Sequence, residues 1–196
     1  MKDVQTTVGV ARTHTSGRGD NVLVLGHGAG GGVDAVDLLA ARDAALSLGW
    51  RVVLVEQPWR VRGRKIAEAP VRLDAAWIDV LAGLEGAPLV VGGRSAGARV
   101  ACRTAGQVGA AAVLCLAFPL HPPGRPEKTR LPELQAVSIP VLVVQGTRDA
   151  FGVPDGAHLV PGADHGFAVS QGHDPAAPQV EAAVRGWLSG LGPSWR

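Results

Sequence analysis

Five short apolar runs, at residues 22–25, 52–55, 89–91, 112–116 and 141–144, carry β-branched and aliphatic side chains without polar alternation and are followed by turn residues. A strand with one wet face alternates; a run that does not is apolar on both faces and predicts a strand of a parallel sheet covered from both sides. Between these runs apolar residues recur at helical spacing. Leu73, Trp77, Val80, Leu81 and Leu84 form one stripe, and Val180, Val184, Trp187, Leu188 and Leu191 form another. A third helix is expected over about residues 34–48 with Gly49 just past its end, and Pro178 suits the first turn of the last helix. Strand and helix therefore alternate, which predicts an α/β fold: a mostly parallel sheet with helices on both faces.

The ends and the longest connection are less regular. Val4, Val8 and Val10, set among threonines before Asn21, are read as one or two antiparallel edge strands. From residue 117 to 140, Pro119, Pro122, Pro123, Pro126 and Pro132 punctuate a link read as a loop with one short helix opening near Pro132. That link is too short for a lid domain. The 196 residues form one domain, 1–196, with no composition break or internal repeat. A chain of this length buries about 70% of its unfolded surface and holds a core without disulfides or structural metal.

Composition removes several function classes. Lys plus Arg number 19 against 17 Asp plus Glu, so the net charge of +2 gives no broad basic surface for nucleic acid. The start has no apolar segment of signal-peptide type, and the longest apolar stretch, residues 108–120, is short of the roughly 18 residues a membrane helix needs. A cytoplasmic protein with no membrane partner is expected, with monomer and homodimer left open. Cys102 and Cys115 lie in apolar surroundings and are expected as free, buried thiols. The six histidines lack paired metal-ligand spacing, so no metal is expected.

The segment Gly26-His27-Gly28-Ala29-Gly30-Gly31-Gly32 follows the first buried run and precedes a helix, which turns several backbone N–H groups toward that strand's C-terminal edge. Two chemistries use such a turn. Gly26, Gly28 and Gly31 satisfy G-x-G-x-x-G, and Glu56 ends the next strand, where a dinucleotide fold places the acid that holds a ribose. Alternatively, residues 27–30 form an oxyanion loop in which the N–H of Ala29 meets charge developing on a carbonyl oxygen. The segment alone serves either.

Gly93-Arg94-Ser95-Ala96-Gly97 separates the two. It is G-x-S-x-G between a strand and an Ala-rich helix, an arrangement that lifts a serine hydroxyl above a sheet on a sharp turn. Glycines two residues to either side are needed because side chains there would collide with the neighbouring strand or helix. The N–H of Ala96 then joins that of Ala29 as a second oxyanion donor. A serine needs a base to take its proton and a carboxylate to hold that base. Asp149 lies just past the run at 141–144, and His165 lies on the loop after the strand-like residues 158–160. The order Ser95, Asp149, His165 is that of the α/β-hydrolase fold.

Together with Glu56-Gln57-Pro58-Trp59-Arg60, Phe118-Pro119-Leu120-His121-Pro122 and Gln145-Gly146-Thr147-Arg148-Asp149, these motifs resemble the dienelactone-hydrolase-like branch of the α/β hydrolases. They are most similar to the branch named after a testis-expressed protein and a subunit of the nonspecific-lethal chromatin complex. The likeness spans about residues 22–191. It implies an eight-stranded hydrolase sheet reduced at its N-terminal edge, and Ser95, Asp149 and His165 as the triad. Dienelactone hydrolases carry a cysteine nucleophile where this chain has Ser95, so their substrate is not carried over.

The expectation is a small, lidless, cofactor-independent serine hydrolase acting on an ester, thioester or related acyl bond of a small molecule. A hydrolase-fold protein that binds a partner without turnover, and a Rossmann-type dinucleotide-binding protein, are the competing readings. His27, Arg60, Arg94 and His121 are candidate substrate-binding residues, with Arg62 and Arg64 beside Arg60. An arginine near the nucleophile offers forked donors to an anionic group, and equally an ion pair with Glu56 or a solvated cluster. Asp164, adjacent to His165, is a weaker candidate for the triad acid than Asp149, and His173 with Asp174 is a fallback base.

Overall fold

The computed structural model describes residues 1–84 and 89–191. Eight strands form one sheet: β1 (Lys2–Thr6), β2 (Gly9–Ser16), β3 (Val22–Gly26), β4 (Arg51–Glu56), β5 (Leu89–Arg94), β6 (Ala112–Leu116), β7 (Val141–Gly146) and β8 (His158–Val160). Their spatial order is β1-β2-β4-β3-β5-β6-β7-β8, with β1 and β2 antiparallel and every other pairing parallel.

The unalternating runs are apolar on both faces because both faces are covered. Leu23, Leu25, Leu54, Leu114 and Val144 point to a layer formed by α1 (Val36–Ser47) and α6 (Ala176–Gly190). Their neighbours Val22, Val24, Val53, Val113 and Val143 point to a second layer that holds α3 (Pro70–Ala82) and α4 (Ala96–Thr104). Each fully buried Val or Leu contributes about 1.5–3 kcal/mol relative to exposure, so the alternation of layers along each strand is the main source of stability. The stripes read at Leu73, Trp77, Val80 and Leu81, and at Val180, Val184 and Leu188, are the buried faces of α3 and α6.

The N-terminal edge corrects one expectation. It is not reduced: β1 and β2 are both present, and β2 pairs with β4 from Arg12↔Glu56 to Ser16↔Val52. β1 is largely exposed and β2 is half-buried, with only Ala11 and Thr13 buried, so neither shows the doubly buried pattern that marks the central strands. The link between β6 and β7 carries a single 3-10 turn (Pro126–Lys128) and the short helix α5 (Leu131–Gln135), with no lid. A one-turn helix, α2 (Pro58–Val61), follows β4. Cys102 and Cys115 are free and buried, with their sulfurs 3.4 Å apart between α4 and β6. Among the described residues no helix is long and apolar enough to cross a membrane.

Candidate active site

Ser95 alone joins β5 to α4, and its backbone takes φ 52° and ψ −109°. Non-glycine residues at positive φ carry strain of about 1–3 kcal/mol, which the surroundings must hold in place. Here the holding is done by backbone. Ser95 N–H donates to Leu116 O at 2.9 Å, and the motif's two outer glycines lie against the end of β3. A Cβ on Gly93 would stand 2.4 Å from Gly26 O, and one on Gly97 would stand 2.3 Å from the same oxygen. The glycine loop also meets Ser95 closely, since a Cβ on Gly28 would be 3.3 Å from Ser95 Cβ.

His165 Nε2 is 2.9 Å from Ser95 Oγ, and His165 Nδ1 is 2.7 Å from Asp149 Oδ2. A carboxylate accepts only, so Nδ1 carries the imidazole proton and Nε2 is left to accept from the serine hydroxyl. Asp149 is buried and fully engaged. Its Oδ1 accepts from Phe151 N–H at 2.8 Å, and its Oδ2 also accepts from Gln145 Nε2 at 2.7 Å. Gln145, itself wholly buried, further donates to Phe118 O and Gly152 O. The Phe151 ring lies against the imidazole with centroids 4.1 Å apart.

The base's loop has one more tie. Arg94 Nη2 donates to His165 O at 2.8 Å, while Arg94 Nε lies 3.2 Å from Asp37 Oδ2. Asp37, on α1, is fully buried, and desolvation raises its pKa to about 6 against the lowering effect of Arg94. Over Ser95 opens a cleft of about 430 Å³, lined among others by Gly28, Ala29 and Ala96 and by Arg94, Arg99 and Arg130. Ala29 and Ala96, expected as oxyanion donors, thus line the same cleft as Ser95 and His165.

The remaining candidates fall elsewhere. His27 is corrected: it is buried, accepts at Nε2 from Gln57 N–H at 3.1 Å and donates from Nδ1 to Gly28 O at 2.8 Å, so both ring nitrogens are occupied in bracing the glycine loop. Burial pushes its pKa down, which keeps the ring neutral. His121 bonds Pro122 O through Nδ1 at 2.9 Å and lies against Gly152, outside the cleft lining. Arg60 also lies outside that lining, near Gly32. Arg62, Arg64 and Arg72 converge on the largely buried Glu68, while Glu56 pairs with His14 at 3.0 Å rather than with an arginine. Asp164 caps its own turn by accepting from Gly166 and Ala168 N–H, and His173 bonds Ser170. Among the described residues no group of three His, Cys, Asp or Glu gathers as a metal site. Sequence reasoning missed Asp37, Arg99, Arg130, Gln145 and Phe151.

Comparison with known proteins identifies the family and the fold. The chain matches the alpha/beta hydrolase domain family over residues 19–179 and belongs to it. An alpha-beta serine hydrolase homologue from Coxiella burnetii superposes with a TM-score of 0.75 at 16% identity, over 95% of this chain and 96% of that one. A serine hydrolase without a lid from Xanthomonas campestris superposes at 0.70 with 18% identity, over 95% and 93%. A dienelactone hydrolase from Anabaena variabilis does so at 0.71 with 15% identity, over 96% and 95%. No curated protein matches the chain in sequence. The dinucleotide reading falls with this family and with the strand order, in which β3 lies between β4 and β5 and not in the 3-2-1-4-5-6 arrangement of that fold.

Proposed function

We propose that the protein is a cofactor-independent serine hydrolase that cleaves an ester, thioester or related acyl bond through Ser95, His165 and Asp149. The observation that carries this reading is the unbroken hydrogen-bonded chain from Ser95 Oγ through His165 to Asp149, at 2.9 and 2.7 Å. Ser95 Oγ attacks the acyl carbon as His165 Nε2 takes its proton. The carbonyl π electrons move to oxygen, where the N–H groups of Ala29 and Ala96 stabilise the charge, aided by the N-terminus of α4. Collapse expels the alcohol or thiol, which receives the proton from His165. Water then repeats the sequence on the acyl-serine, releasing the acid and restoring Ser95. Asp149 keeps Nδ1 protonated and stabilises the imidazolium.

The blocks at residues 56–60 and 118–122 support placing the chain near the dienelactone-hydrolase-like branch and the branch named after the testis-expressed protein. The test is labelling with a fluorophosphonate, located by intact and peptide mass spectrometry. An adduct on Ser95 in the wild type and none in a folded Ser95→Ala variant supports an activated nucleophile. No adduct in either folded protein sinks the reading and favours a binding role without turnover.

A further inference from the structure

The cleft over Ser95 has an uneven charge. Three arginines, Arg94, Arg99 and Arg130, line it, and no Asp or Glu is among its lining residues. Two of the three are neutralised from behind. Arg94 pairs with Asp37, as described, and Arg99 forms a forked pair with Glu133, Nε to Oε2 at 2.8 Å and Nη2 to Oε1. Glu133 is not free to serve a further cation, because Arg103 also donates to it at 3.1 Å while pairing with Asp74.

Arg130 is different. Its Nη1 donates to Pro119 O at 2.9 Å, a neutral acceptor, and among the described residues no carboxylate lies within ion-pair distance of it. Partial desolvation and the neighbouring Arg99 push its pKa down, and the charge of Glu133, beyond ion-pair distance, acts the other way. A guanidinium has five N–H donors in a planar fork, so most of this one remains available beside the nucleophile. A partly desolvated cation gains most from an anion that brings its own oxygens.

We propose that Arg130 anchors an anionic oxygen group of the substrate, a carboxylate or a phosphate, placed away from the bond that Ser95 attacks. This rests on the serine-hydrolase reading for its catalytic half. The substrate class is then an acyl compound with a negative charge on the part that extends toward the loop between β6 and β7. The anion neutralises the surplus charge of the arginine wall, and its fixed position sets the distance at which the acyl carbon meets Ser95.

The test compares three aryl esters of matched length: 4-nitrophenyl pentanoate, mono-4-nitrophenyl glutarate and the 4-nitrophenyl ester of 4-phosphonobutanoate. The wild type is expected to favour at least one anionic ester over the neutral one by about tenfold or more in kcat/KM, the gain of a charge-assisted hydrogen bond, and less so as salt is added. The better of the two anionic esters identifies the group. Arg130→Gln is expected to lower that preference ratio about tenfold, and Arg130→Lys to restore part of it. Glutarate and 4-phosphonobutanoate are also titrated calorimetrically into Ser95→Ala with and without Arg130→Gln, which reads the anion site without turnover. A preference ratio and an affinity that both ignore Arg130→Gln overturn the proposal while leaving the hydrolase reading standing. Arg130-dependent binding with no turnover of any ester and no label on Ser95 upholds the anion site and overturns the hydrolase reading.

Discussion

Arg94 Nη2 holds the backbone carbonyl of His165 at 2.8 Å, so the residue immediately before Ser95 fixes the loop that carries His165. The same guanidinium reaches back to Asp37 on α1, which couples the elbow, the base loop and a helix beneath the sheet through one planar group. Arg94→Met and Arg94→Lys are both expected to lower kcat about tenfold or more, because an ammonium cannot at once donate to His165 O and stand against the Asp37 carboxylate as the longer, planar guanidinium does. Steady-state kinetics on a 4-nitrophenyl ester, with thermal unfolding alongside, checks this. Full activity in Arg94→Lys would show that only charge matters there.

Asp37 gives a pH dependence of stability whose sign is opposite to that of a carboxylate held low by ion pairs or hydrogen bonds. Its folded pKa of about 6 lies above the unfolded value, so the folded state holds its proton longer than the unfolded chain does. The contribution to stability is complete below about pH 4 and is lost as pH rises through 6, by up to about 3 kcal/mol. Asp37→Asn lacks this loss. Its melting temperature relative to wild type is expected to rise between pH 5 and pH 8, and thermal unfolding at both values measures the change. A constant difference would mean that Asp37 titrates near its ordinary value.

Gly97→Ala would drive a methyl to 2.3 Å from Gly26 O, against the backbone of Gly26 and His27 with no flexible side chain to give way. A loss of about 1–3 kcal/mol or more is expected, as for overpacking in a tight core. Gly30→Ala, with nothing within 4 Å of the added carbon, is expected to stay within about 0.5 kcal/mol of wild type. Chemical denaturation of the two variants side by side separates close approach from a general aversion to side chains in these turns.

Gln145→Leu removes the donor that serves Asp149, Phe118 O and Gly152 O at once. Unsatisfied buried acceptors cost roughly 1–3 kcal/mol, so lower stability is expected together with a fall in kcat as Asp149 loses a fixed partner. A variant of reduced stability but unchanged kcat would assign Gln145 to packing alone.

What could be read from the chain alone follows from how local each requirement is. The doubly apolar runs announce β3 to β7 because a buried strand shows its environment in consecutive residues. Ser95 is legible because the elbow demands glycine at fixed offsets, and Asp149 and His165 because each follows a strand. Asp37 and Arg130 were invisible for other reasons: Arg94, the partner of Asp37, lies far along the chain, and Arg130 is marked by a backbone acceptor within its own loop in place of a carboxylate. His27 misled because a histidine in a glycine loop looks like a ligand contact until Gln57, thirty residues on, occupies its second nitrogen. The edge strands β1 and β2 were legible only in outline, since neither carries an unbroken run of buried residues.

The connection between β6 and β7 leaves the cleft over Ser95 open to solvent. An enzyme with a lid sorts its substrates by what the closed chamber will hold. Here there is no chamber, and discrimination falls to groups fixed on the rim. The substrate range of such a protein is therefore set by a few wall residues, and it can be altered by substituting one of them while Ser95 and its partners stay as they are.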